Sequence, residues 1–162
     1  VLICPPLRVL QPQPGFSETA LVAWESKQDE TRTVVTKIRR GQAFFRDMIL
    51  TSYRGKCALT GVDDSRLLNA SHIIGWQEDV NLRLNPTNGI CLNALHDRAF
   101  DRHLISFDDD YRMIIAADIP PETKKILSRG IHSQIKLPEK FLPDPAFLDH
   151  HRQRMQARST AA

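Results

Sequence analysis

The stretch from Asn69 to Arg102, NASHIIGWQEDVNLRLNPTNGICLNALHDRAFDR, decides how this chain reads. An apolar run, Leu67 to Ile74, is interrupted by Asn69, Ser71 and His72, which fits a strand. A polar loop from Gln77 to Thr87 carries the turn signal Asn85-Pro86. Gly89 to Leu92 makes a second short strand, and Ala94 to Phe100 begins a helix. A hairpin running into a helix would bring His72 and His96 together across one groove, with Asn88 eight positions before His96. A lone histidine at either place is more often structural than catalytic. The ordered set His, Asn, His on strand, turn and helix is far harder to reach by chance.

Upstream, Lys56-Cys57-Ala58-Leu59-Thr60-Gly61 reads as a short strand and turn. Before it, helical spacing of Phe44, Phe45, Met48 and Ile49 predicts a helix from Thr33 to Tyr53 with those side chains toward the core. Arg39, Arg40, Arg46 and Arg54 read first as a solvated face, with phosphate contact as the alternative. Residues 1–30 are punctuated by Pro5, Pro6, Pro12, Pro14 and Gly15 and read as a linker or the end of an upstream domain.

Downstream, Leu104–Phe107 and Tyr111–Ile115 flank Asp108-Asp109-Asp110, a hairpin signature with the acidic triplet at a solvated tip. Pro121 to Arg129 predicts a helix ended by Gly130. Asp144-Pro145 predicts an N-cap and first helical residue for a helix reaching Arg158. Residues 159–162 are expected to be a disordered tail. The globular domain is therefore placed at 31–158, with its core motif at 57–107.

The 162 residues are enough for one domain with tails, and 41% hydrophobic content excludes wholesale disorder. A net charge of +3 permits a nucleic-acid partner without requiring one. Cys4, Cys57 and Cys91 are odd in number and widely spaced, unlike a disulfide framework, so a cytoplasmic location is expected. No apolar run approaches the ~20 residues of a membrane span. Val1-Leu2-Ile3-Cys4 is too short for a signal-peptide core, and the absence of an initial Met reads as a piece of something longer.

The matching segments Cys57–Gly61, Ala70–Ile74, Asn88–Leu92 and Leu95–Arg102 resemble the HNH endonucleases, which share the ββα-metal fold. The variant is most similar to the C-terminal HNH domain of bacterial restriction endonucleases. Gly41–Arg46 and Lys140–Pro145 extend the likeness to about residues 38–155. The resemblance implies an α+β fold: a ββα-metal nuclease core with flanking helices and an extra β-hairpin. It implies a metal-dependent DNA endonuclease, as the effector of a restriction or phage-defence system. The alternative is a catalytically weakened HNH-fold module that only binds DNA.

By the same resemblance, His72 is the general base and Asn88 fixes the loop that aims it. His96 is a ligand for Mg²⁺ or Mn²⁺. Two departures stand out. Ser71 occupies the place immediately before the base where many relatives carry an acidic ligand, so Asp97, Asp101 and Asn93 are candidates to complete the shell beside it. Cys57 and Cys91 are followed three positions on by Thr60 and Ala94, so each Cys pair of a zinc-bearing relative has lost a member and no structural zinc is expected. Arg98 and Arg102 are the nearest candidates to hold DNA phosphates, or else they pair with Asp97 or Asp101. His103 reads as incidental. Cutting both strands from one site per chain favours a homodimer.

Overall fold

The computed structural model describes residues 18–161, with side chains from 34 to 160. The described residues divide into two units, one up to residue 39 and one from residue 40 onward. The described part of the first is the opening of helix α1 (Glu18–Ser52), which starts well before the expected Thr33. Of the linker expected at residues 1–30, residues 1–17 lie outside the described residues and residues 18–30 are helical instead.

The second unit is built around a short antiparallel hairpin, β1 (Leu68–His72) and β2 (Gly89–Asn93), that feeds directly into α2 (Ala94–Asp101). The register pairs Leu68 with Asn93, Ser71 with Ile90 and His72 with Gly89. Along β1 Leu68 and Ser71 are buried, while β2 is buried along Gly89–Leu92. This is the ββα unit expected from the sequence, and the fold is α+β.

α1 packs across this hairpin with Phe45 and Ile49, both fully buried. Gly89 makes the approach possible. A Cβ built there would stand 2.5 Å from Ile49 Cδ1 and 2.7 Å from Phe45 Cζ. Any side chain at 89 would force the buried Phe45 and Ile49 side chains to shift.

The predicted second hairpin forms as β3 (Ile105–Phe107) and β4 (Met113–Ile115), with Asp108–Asp110 at its tip. It is followed by α3 (Pro121–Leu127) and α4 (Pro145–Ala161). Gly130 turns the chain after α3 with φ 68°, a conformation that glycine takes at no steric cost. Asp144 Oδ1 accepts from Ala146 N at 2.9 Å, the cap its sequence suggested. α4 continues through Ala161, so residues 159–161 are helical rather than a loose tail; Ser159 Oγ is 2.9 Å from Asp118 Oδ1.

Lys56–Gly61 forms no strand. Cys57 N donates to Val62 O at 2.8 Å and Gly61 N to Cys57 O at 2.9 Å, closing a tight turn. Ala58 N still bonds Cys91 O at 2.8 Å, so the turn docks on β2 without joining the sheet. Cys57 and Cys91 are free and buried there. Burial, then the neighbouring Cys57 thiol, pushes the Cys91 thiol up to about 12.

Candidate active site

A groove of about 390 Å³ opens between α1, the end of β1 and α2. Its polar lining includes His72, Ser71, Asn69, Asp97, Asp101 and Arg46. Phe45 and Trp76 supply the apolar part.

His72 is held on three sides. Its ring stacks on Phe45 with centroids 3.7 Å apart, and Trp76 meets it edge-on at 5.5 Å. Nε2 lies 3.0 Å from Arg83 O. A carbonyl can only accept, so Nε2 carries the proton and Nδ1 is left as the basic nitrogen. Burial lowers the His72 pKa below the ordinary imidazole value, with the bond to Arg83 O pulling the other way. The ring is therefore neutral at neutral pH.

Asn88 is fully buried at the base of the intervening loop. Its Oδ1 accepts from Ile74 N at 2.8 Å, and its Nδ2 donates to Ile74 O at 3.0 Å and Leu82 O at 3.2 Å. One amide thus ties the start of the loop to its far side. Leu82 is the neighbour of Arg83, whose carbonyl holds His72. Arg83 is fixed in turn by Nε donating to Trp76 O at 2.8 Å.

Asp97 faces the groove from the first turn of α2. Ser71 Oγ donates to its Oδ1 and Asn69 Nδ2 to its Oδ2, each at 2.6 Å. Asp101 lies one helical turn further on the same face. Partial burial, then the Asp97 charge, raises the Asp101 carboxyl above the usual range, while Arg98 and Arg102 oppose the rise.

His96 is not in this groove. The expected meeting of His72 and His96 does not occur. His96 is buried on the opposite side of α2 with Ala99 and Phe100. Nε2 is 2.9 Å from Leu127 O and Nδ1 is 3.1 Å from Asn93 Oδ1. Both ring nitrogens face carbonyl oxygens inside the fold and the ring is buried, which leaves neither to offer a metal ion in the groove. The sequence carried a signal for this: His96, Ala99 and Phe100 recur at i, i+3, i+4, the spacing of a core-facing stripe. Asn93 is likewise committed as the cap of α2, its Oδ1 accepting from Leu95 N and His96 N, each at 3.1 Å.

Arg98 and Arg102 are exposed and do not line the groove. Among the described residues neither forms an ion pair with Asp97 or Asp101. The groove's arginine is Arg46, from α1. His103 is not isolated: its Nδ1 is 3.0 Å from Nε2 of the buried His151, whose Nδ1 is 3.0 Å from Ser106 Oγ. Among the described residues no three His, Cys, Asp or Glu side chains gather as a metal cluster.

Residues 57–108 match the family model for HNH endonuclease. No curated protein matches the chain. Among solved structures it is similar to one titled "Modification dependent TagI restriction endonuclease", with 18% identity and a TM-score of 0.48 over 67% of this chain. The chain spans 36% of the length of that enzyme. Hairpin, helix and family match coincide on one segment, and it is there, at residues 57–108, that the chain is similar to the HNH endonucleases.

Proposed function

We propose that this chain hydrolyses DNA phosphodiester bonds with the help of a divalent metal ion. The observation that carries the reading is His72: an imidazole kept neutral by burial, with Nε2 spent on Arg83 O, in the same groove as the Asp97 and Asp101 carboxylates. His72 Nδ1 takes a proton from the attacking water, a task suited to a base that is free at working pH. Asn88 keeps the loop, and through it Arg83 O, in register with the ring. Ser71 and Asn69 orient Asp97.

The donor set fits a hard ion in part. Asp97 and Asp101 offer oxygen ligands on one helix face, as Mg²⁺ or Mn²⁺ prefer, and the Asp97 charge adds to burial in raising the Asp101 carboxyl. Two carboxylates are fewer than a closed site needs, so Asp97 and Asp101 would hold an ion only together with oxygen donors from outside the chain, such as the DNA phosphate. When bound, the ion would supply charge neutralisation at the phosphate and leaving oxygen. In this assignment the metal residues are Asp97 and Asp101, with Ser71 acting through Asp97 and His96 serving the fold. Arg98 and Arg102 remain candidates for DNA backbone contacts beyond the groove.

A role in restriction or phage defence, with cutting by a homodimer, rests on the family resemblance and on the need to cut two strands. Free Cys57 and Cys91 suit a reducing compartment such as the cytoplasm. Among the described residues no helix is long and apolar enough to cross a membrane. With Thr60 and Ala94 in place of two cysteines, elemental analysis should find well under one zinc per chain.

Plasmid nicking by the unaltered chain, with and without EDTA, is the test. Nicking that EDTA abolishes and Mg²⁺ restores supports the reading. Nicking indifferent to EDTA overturns the metal. DNA bound but never nicked, at any metal tried, turns the assignment to a binding module.

A further inference from the structure

The groove described above holds two carboxylates and a neutral imidazole, yet its proposed substrate is an anion. Arg46 is its one Lys or Arg among the described lining residues. The side chain is half-buried and locked in place. Nη1 donates to Leu68 O at 2.6 Å and Nη2 to Ser65 O at 2.9 Å. Both acceptors are backbone carbonyls at the entry to β1, so they orient the guanidinium without cancelling its charge. Among the described residues Arg46 has no carboxylate in an ion pair. A guanidinium has five N–H donors, and two bonds leave others free for a ligand.

A fixed planar fork of donors is the geometry that binds phosphate oxygens, and its ordering is already complete before substrate arrives. We propose that Arg46 is a catalytic residue of this groove, gripping a non-bridging oxygen of the phosphodiester to be cut and stabilising the charge that builds there as water attacks. The inference rests on the nuclease reading. It assigns a role to α1, which lies outside the family-matched segment 57–108. In this arrangement the phosphate lies between the Arg46 cation on one wall and the carboxylates of α2 on the other, with His72 between them.

Two measurements test it. In the first, Arg46→Gln and Arg46→Lys are compared with the unaltered chain for nicking rate at saturating DNA. The same changes are placed on a His72→Ala background to measure duplex affinity against salt. Arg46→Gln should lower the rate about 10²-fold, the usual loss for one donor aimed at developing charge. It should flatten the slope of log affinity against log salt by about one, and Arg46→Lys should restore the slope. A purely structural Arg46 would lower the melting temperature and leave the slope alone. The second measurement needs no variant: phenylglyoxal modification of the unaltered protein, read by mass spectrometry, should mark Arg46 in free protein and spare it when duplex is bound. A folded Arg46→Gln protein with unchanged rate and slope overturns the proposal, as does equal labelling with and without DNA. If the unaltered chain neither binds nor nicks DNA, the nuclease reading falls first. If it nicks and the Arg46 results are flat, only this proposal falls.

Discussion

Ser71 Oγ donates a 2.6 Å hydrogen bond to Asp97 Oδ1, across the junction of β1 and α2. Asn69 Nδ2 holds the other oxygen of the same carboxylate at 2.6 Å. The serine that stands where an acidic ligand was expected therefore acts on a carboxylate supplied by the helix. Ser71→Ala should leave the fold standing and raise the metal concentration for half-maximal nicking by about tenfold, the low end of losses for groups that orient a ligand. Ser71→Asp should set a second negative charge against Asp97. Its melting temperature should then rise more with added Mg²⁺ than that of the unaltered chain. Identical metal midpoints in all three proteins would remove Asp97 from the site.

His72 should set the acid limb of the pH–rate profile. Its pKa is depressed, chiefly by burial, so the basic form persists to lower pH than for a free imidazole. Activity should hold as pH falls through 6.5, the ordinary value, and fail only below it. His72→Ala should cost about 10²-fold or more in nicking while DNA binding survives. An acid limb above 6.5 would place the titrating group elsewhere.

Asn88→Ala should harm stability and rate together. The change leaves the buried Ile74 N–H and carbonyl without their partner, at a cost of about 1–3 kcal/mol for each unsatisfied group, and frees the half-buried Leu82 carbonyl. Urea unfolding measures the first effect. Nicking by the fraction still folded measures the second, because Arg83 O loses its support. A variant that is destabilised but cuts at full rate would separate the loop from the chemistry.

His96→Ala is expected to behave differently from changes at Asp97 or Asp101. Removing a buried ring that bridges Asn93 and Leu127 O should destabilise the chain by about 2–4 kcal/mol. The metal midpoint of the folded protein should not move. Asp97→Asn or Asp101→Asn should do the reverse, shifting the midpoint with smaller effects on melting. A His96 variant that needs far more metal would return that histidine to the ion.

Acid should unfold this protein through His151. The ring is buried, stacked on Phe100 with centroids 3.8 Å apart, and its pKa is lowered to about 3, by burial and then by His103. The unfolded chain takes up that proton near 6.5 and the folded chain only near 3. Stability is therefore full above 6.5 and falls as pH drops from there toward 3. His103, lowered for the same first reason, adds to the slope. His151→Phe should flatten melting temperature against pH across that window. An unchanged slope would assign the acid sensitivity to other groups.

The hairpin-to-helix order was legible because short apolar runs and turn residues are local signals, and β1, β2 and α2 fall within two residues of their expected ends. α4 was legible from Asp144-Pro145. The phase of α2 was not read correctly. His96 and Asp97 are adjacent in sequence, but neighbours on a helix point about 100° apart. Which of them faces the groove depends on how β2 hands over to the helix, and the stripe of Ala99 and Phe100 with His96 was the usable clue. Arg46 reaches its carbonyl partner across 22 residues, a tertiary relation that no local pattern encodes. The extra length of α1 toward Glu18 was hidden by the prolines just upstream.

Glu78 accepts from Gly75 N at 3.1 Å and meets Arg154 and His150 of α4, so the last helix braces the loop that carries Trp76 into the groove. Phe45 and Arg46 brace the opposite side from α1. The working unit is therefore larger than its signature. Transplanting residues 57–108 alone into another protein would carry over the histidine, the loop asparagine and both carboxylates, but neither α1, which closes one side of the groove, nor α4, which braces the Trp76 loop. Any chimera built from this chain should keep both helices.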